Sequence, residues 1–134
     1  MKYKLNMISK KSLFVINLLA SLSIYAQQIN EYKFLTKGQY DSKIYEKLEK
    51  KDGNKVYVWH KIEETIKNNP GIAFTEFYVQ INCTTKMSVL KSSITHWRDG
   101  NVQKFDDSSN KEVPITDLTS FLGLSYKNHC AKYK

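Results

Sequence analysis

The sequence predicts an α+β domain: an antiparallel sheet of about five to six strands in meander order, with a C-terminal helix packed on it and tied by a disulfide. Three observations predict it. Strand-like runs dominate the stretch from Lys55 to Trp97, interrupted by a polar loop from Glu63 to Asn69 that ends at Pro70-Gly71; they are rich in valine and aromatics and alternate most clearly between Ile72 and Cys83. Asp52-Gly53-Asn54 and Asp99-Gly100 are turn signals between such runs, because glycine and asparagine accept positive φ at little cost. After Pro114 the apolar period lengthens from two residues to three or four, the spacing of a helix.

Taken in order, Tyr32–Leu35 is a short first strand, and Lys43–Leu48 reads either as a second strand or as a helical turn. Lys55–Ile62 is the most strand-like run. Val56, Val58 and Ile62 lie on one side and Tyr57 and Trp59 on the other, a pattern expected of a central strand covered on both faces. In Ile72–Cys83, the side chains of Phe77, Val79, Ile81 and Cys83 share a face, while Glu76, Gln80 and Asn82 point away. Lys86–Trp97 returns through a tight Thr84-Thr85 connection. Its alternation slips near Val89-Leu90, which predicts a bulge there. Val102–Phe105 is a further short strand. In the last segment Thr116 is the expected N-cap, Asp117 suits the first turn, and Leu118, Phe121, Leu122, Tyr126 and Cys130 form one apolar stripe. Gly123 is expected to weaken that helix by about 1 kcal/mol relative to alanine.

The start of the chain reads as a signal for export. Lys2, Lys4, Lys10 and Lys11 precede an apolar run from Ser12 to Ala26, about 15 residues and too short for a comfortable membrane span. Residues 1–26 are therefore expected to be a cleavable signal peptide and 27–134 a single domain. Cleavage would remove four lysines and no acid, taking the formal charge from +8 to +4. No cysteine stands directly after the apolar run, so no lipid anchor is expected after cleavage. Cys83 and Cys130 are the two cysteines, and in an oxidising compartment they most simply pair. The other reading, free thiols or a redox pair, lacks the Cys-x-x-Cys spacing. Nucleic acid is a poor partner, since no basic-aromatic recognition motif is present.

Three features carry a resemblance: the Val56-Tyr57-Val58-Trp59 strand, the Gln80-Ile81-Asn82-Cys83 strand end, and a C-terminal helix closing in Cys130, with the Asp99-Gly100 hairpin between the cysteines. From Tyr32 to Cys130 this order resembles the bacterial surface-adhesin protein E-like domain. The resemblance implies an exported domain with an antiparallel sheet and a C-terminal helix tied by one disulfide, in a family some of whose members adhere to host matrix proteins. The basic charge adds acidic glycans as candidate partners, and the lack of a catalytic motif points to a non-enzymatic binding protein. The missing lipid-attachment cysteine departs from a surface-displayed adhesin. A periplasmic binding or inhibitory module, acting on an envelope protein or a small ligand, fits the same residues.

Candidate chemistry is sparse. Lys47, Lys50, Lys51 and Lys55 cluster around the Asp52-Gly53 turn and form a candidate patch for sulfated glycans or acidic protein segments. The same lysines would equally serve as a solvated edge that blocks strand-on-strand aggregation. His60 and His96 are weak ligand candidates. If their strand ends were adjacent, two imidazoles and two indoles would cluster, but no third ligand has matching spacing. No serine lies in a nucleophile elbow, and Glu63-Glu64 and Asp106-Asp107 are sequence neighbours whose side chains diverge on an extended backbone. No catalytic residue, metal site or cofactor is therefore expected.

Overall fold

The computed structural model describes residues 31–133, and the expected signal segment lies outside the described residues. Strands β1 (Lys33–Lys37), β2 (Lys43–Asp52), β3 (Lys55–Glu63), β4 (Ile72–Asn82), β5 (Met87–Trp97) and β6 (Val102–Asp106) lie side by side in chain order. Each pairs antiparallel with the next. A short seventh strand, β7 (Glu112–Pro114), joins the same edge of β5 that β6 occupies, at the start of β5. Helix α1 (Phe121–His129) follows.

The turn signals act as expected. Gly53 takes a φ of +57°, which lets Gly53-Asn54 link β2 to β3 directly. Lys43–Leu48 is a strand, continuing to Asp52, and not a helical turn. The bulge predicted near Val89-Leu90 falls one step later: Val79 pairs with Leu90 and Tyr78 with Ser92, leaving Lys91 as the extra residue.

Register sorts the side chains into two faces. On one, Leu48, Val58, Val79 and Leu90 form a rung across β2 to β5, and Val56, Ile81 and Ser88 form the next. Val56, Val58, Val79, Ile81 and Cys83 make the core there with Ile115, Tyr126 and Cys130. Helix α1 covers this face. The Cys83–Cys130 disulfide, with Cα atoms 5.3 Å apart, fastens the end of the helix to the end of β4. Such a bond accords with an oxidising, exported environment. Among the described residues no helix is long and apolar enough to cross a membrane.

Three expectations need correction. The helix begins at Phe121 with Ser120 as its N-cap, not at Thr116. Asp117 spends its carboxylate on the backbone N–H and hydroxyl of Thr119, at 2.8 and 2.6 Å, a local turn that competes with helix. Strand β7 was not anticipated, since its three residues are all exposed and carry no alternation. And β3, although central, is covered by the helix on one face; among the described residues no helix lies over Tyr57 and Trp59.

Candidate functional site

The face of the sheet opposite α1 gathers aromatic and basic side chains. Antiparallel register aligns Lys47, Trp59 and Tyr78 on one rung, Lys50, Tyr57 and Gln80 on the next, and Tyr45, Lys61 and Glu76 on a third. Alternation forces this, because Val56, Val58, His60 and Ile62 of β3 face the helix side, which leaves Lys55, Tyr57, Trp59 and Lys61 on the other. The rings of Trp59 and Tyr78 stack at 4.8 Å and 22°, and Tyr57 tilts against Tyr78 at 6.1 Å. All three rings are half-buried.

Lysines border this aromatic strip. The Lys50 ammonium sits 4.6 Å over the Tyr57 ring, and Lys47 lies 4.9 Å over Tyr32. Lys55 projects from the same face as Tyr57, two residues along β3. Among the described residues none of the three forms an ion pair with a carboxylate, whereas Lys61 pairs with Glu63 at 3.1 Å. Glu76 is likewise engaged: it accepts from the Tyr32 hydroxyl at 2.7 Å and lies 2.9 Å from His96 Nε2. Burial, followed by the Glu76 hydrogen bond and charge, raises the Tyr32 phenol well above its ordinary range. Glu49 adds one negative charge beside the strip, helping to raise the Tyr32 and Tyr78 phenols, so the lysines of this face outnumber but do not exclude carboxylate.

The four lysines of the predicted patch do not act together. Lys51 turns to the helix side, where its ammonium donates to the backbone carbonyl of His129 at 3.3 Å, near the C-terminal end of α1. His60 and His96 are not brought together either. His60 pairs with Phe77 and His96 with Phe74, three residues apart on β4, so the two imidazoles occupy opposite faces. His96 stacks on Phe74 at 4.0 Å. Among the described residues no three of His, Cys, Asp and Glu converge to hold a metal ion. The adjacent acids also separate: Glu64 accepts from Asn68, Asp106 pairs with Lys104, and Asp107 accepts from the Ser109 N–H.

His60 belongs to a polar network that sequence reasoning missed. Glu46 of β2, His60 of β3 and Ser125 of α1 meet under the helix. Ser125 Oγ donates to Glu46 Oε2 at 2.6 Å, so it accepts from His60 Nε2–H at 2.7 Å. Asn128 donates to the other Glu46 oxygen at 2.9 Å, and His129 Nε2 stands 3.2 Å from Oε2. Burial opposes ionisation of Glu46, but His129, Ser125 and Asn128 together outweigh it and lower its pKa to about 2. Burial dominates at His60 and lowers its pKa to about 4, against the pull of Glu46. The order of bonds is wrong for nucleophilic chemistry. The serine proton goes to the carboxylate, the imidazole donates to the serine when a base would accept from it, and Ser125 is wholly buried. No sequence signal marks this network, since its members are far apart in the chain and none sits in a motif.

The chain matches no family model, no curated protein and no solved structure in the comparisons made.

Proposed function

We propose that this protein is an exported, non-enzymatic binding domain that recognises acidic glycans, or similarly acidic segments of matrix proteins, through the open face of its sheet. The observation that carries the reading is the half-buried Tyr57–Trp59–Tyr78 strip bordered by Lys47, Lys50 and Lys55, whose ammonium groups have no carboxylate partners among the described residues. Aromatic faces offer apolar platforms for the flat sides of sugar rings, and ammonium groups attract sulfate and carboxylate. The resemblance to surface-adhesin protein E-like domains supports matrix proteins as partners, and the disulfide supports an extracytoplasmic place of action.

The test uses heparin as probe. Replacing Lys47, Lys50 and Lys55 with glutamine together should lower the salt concentration that elutes the protein from a heparin column, because each lost contact removes a salt-dependent term. Trp59→Ala should weaken retention with less salt dependence. Lys51→Gln is the internal comparison, since its ammonium is held at the helix end, and it should elute with the parent. Equal elution of the triple variant and the parent would end this assignment of the face.

A further inference from the structure

Strand β6 closes one side of the sheet, and all five of its side chains are exposed. Its register on β5 is regular, from Val102 opposite His96 to Asp106 opposite Ser92. The bonds just beyond its ends fix which backbone groups it uses. Trp97 N–H donates to the Asn101 carbonyl, and Asp107 N–H to the Lys91 carbonyl, each at 2.9 Å. Residues of an antiparallel strand alternate between bonding to one neighbour and to the other. Gln103 and Phe105 therefore bond to β5, like Asn101 and Asp107, while Val102, Lys104 and Asp106 turn their N–H and C=O groups outward. Among the described residues no strand pairs with that outer side. The opposite edge of the sheet is guarded: β1 is broken by a bulge between Phe34 and Thr36 and carries Lys33 and Lys37 at its ends, devices that discourage pairing. Strand β6 has no bulge.

The side chains of β6 select what can pair there. Lys104 and Asp106 stand on the open-face side, 3.7 Å apart and mostly exposed. Phe105, opposite Ser93 and through it Phe77, stands on the helix side and is 59 % exposed. A lysine in the middle of an edge ordinarily repels an incoming strand. A second copy of β6 escapes that repulsion in one register. A two-fold axis perpendicular to the sheet brings the two strands together antiparallel, and outward groups meet outward groups only when even-numbered residues oppose even-numbered ones. Centring the pair on Lys104 would oppose two lysines, and centring it on Asp106 would oppose two aspartates. Centring on Gln103 would leave Lys104 opposite a valine. Centring on Phe105 sets Lys104 opposite the partner's Asp106 and Asp106 opposite the partner's Lys104. The two Phe105 residues then face each other as a non-hydrogen-bonded pair, the closer of the two cross-strand spacings.

We infer that the protein pairs with a second copy of itself edge to edge through β6, in the register centred on Phe105. Ion pairs between Lys104 and the partner's Asp106 lie on one side of the joined sheet, and the two Phe105 rings meet on the other. The inference does not use the assignment of the open face. A strand of five residues is a small contact, so the dimer is a weak one that forms at high protein concentration. The test is sedimentation equilibrium of the purified protein in roughly 0.15 M salt. Its weight-average mass should rise with concentration toward that of two chains. Lys104→Asp and Asp106→Lys, each alone, place like charges opposite one another and should weaken association about tenfold. Both positions are largely exposed, so neither change threatens the fold. Mixed in equal amounts, the two single variants should associate with each other as tightly as the parent does with itself, since every cross-strand pair is again of opposite sign. Lys104→Pro removes an outward N–H that β5 does not use, a change edge strands tolerate. It should abolish the dimer and leave the thermal midpoint close to the parent's. A parent that stays monomeric up to about 1 mM would overturn the proposal and leave the edge to some other chain. So would association unchanged by Lys104→Pro, or single charge variants that fail to associate when mixed.

Discussion

Single residues in this fold are governed by what stands over them more than by what they favour in isolation. Gly123 looks like a defect in a helix, and replacing it with alanine would ordinarily help. In the structure it is buried, and a Cβ added there would run into the backbone of Asp117 and Leu118. Gly123→Ala should therefore destabilise by about 1–3 kcal/mol, the usual cost of overpacking, read as a lower midpoint in urea. A raised midpoint would mean that helix propensity outweighs the clash. His60 gives a second residue-scale expectation. Its pKa falls from 6.5 to about 4 on folding, chiefly through burial. Between those values the unfolded chain takes up a proton that the folded one refuses. The neutral imidazole's advantage is thus fully present above pH 6.5 and is lost as pH falls toward 4, by about 3 kcal/mol at most. Thermal melts of the parent should show this slope, and His60→Gln, which keeps an N–H for Ser125, should flatten it. A parent whose stability is unchanged between pH 7 and 4.5 would contradict the assignment. Glu46, lowered to about 2, adds its own loss only below pH 4.5.

At the scale of elements, the helix is short and depends on its fastenings. Nine residues are too few to be stable alone. Ser120 caps one end by accepting from the Gly123 N–H at 3.1 Å, and Cys130 ties the other to β4. The disulfide closes a loop over a separation of 47 residues, which the chain-entropy model values at about 4 kcal/mol. Replacing both cysteines with serine should cost about 2–4 kcal/mol in urea unfolding and raise amide exchange first in α1. Uniform exchange across sheet and helix would argue that the bond is not what holds the helix down. Much at this scale was legible beforehand. Asp52-Gly53 fixed a hairpin because its backbone demand is local, and the alternation of Phe77 to Cys83 exposed the core face of β4. The start of α1 was not legible, because Thr116 and Ser120 are both good caps and the choice falls to the Asp117–Thr119 turn. Strand β7 was hidden because an edge strand with exposed side chains has no pattern to read.

Across the whole molecule, the core and the helix lie on one face of the sheet, and what the other face is for is what the sequence left ambiguous. Tyr57 and Trp59 between core valines read as burial on both sides, since an aromatic residue kept for a partner and one kept for a core look alike in a string. Likewise, four lysines adjacent in sequence look like one patch, although period two and the bulge in β2 send Lys51 to the helix side. If the helix face supplies stability and the open face supplies recognition, substitutions should separate cleanly. Ile81 is fully buried in the core, so Ile81→Ala should lower unfolding free energy by about 2–5 kcal/mol. Replacing Lys47, Lys50 and Lys55 with glutamine changes groups that make no ion pair, and each should move stability by no more than about 0.5 kcal/mol. On heparin the order reverses: at temperatures where Ile81→Ala remains folded it should be retained like the parent, while the lysine variant elutes early. The two measurements together are decisive, because a lysine variant that loses both stability and retention would make the open face part of the fold's own support and not a surface kept for a partner.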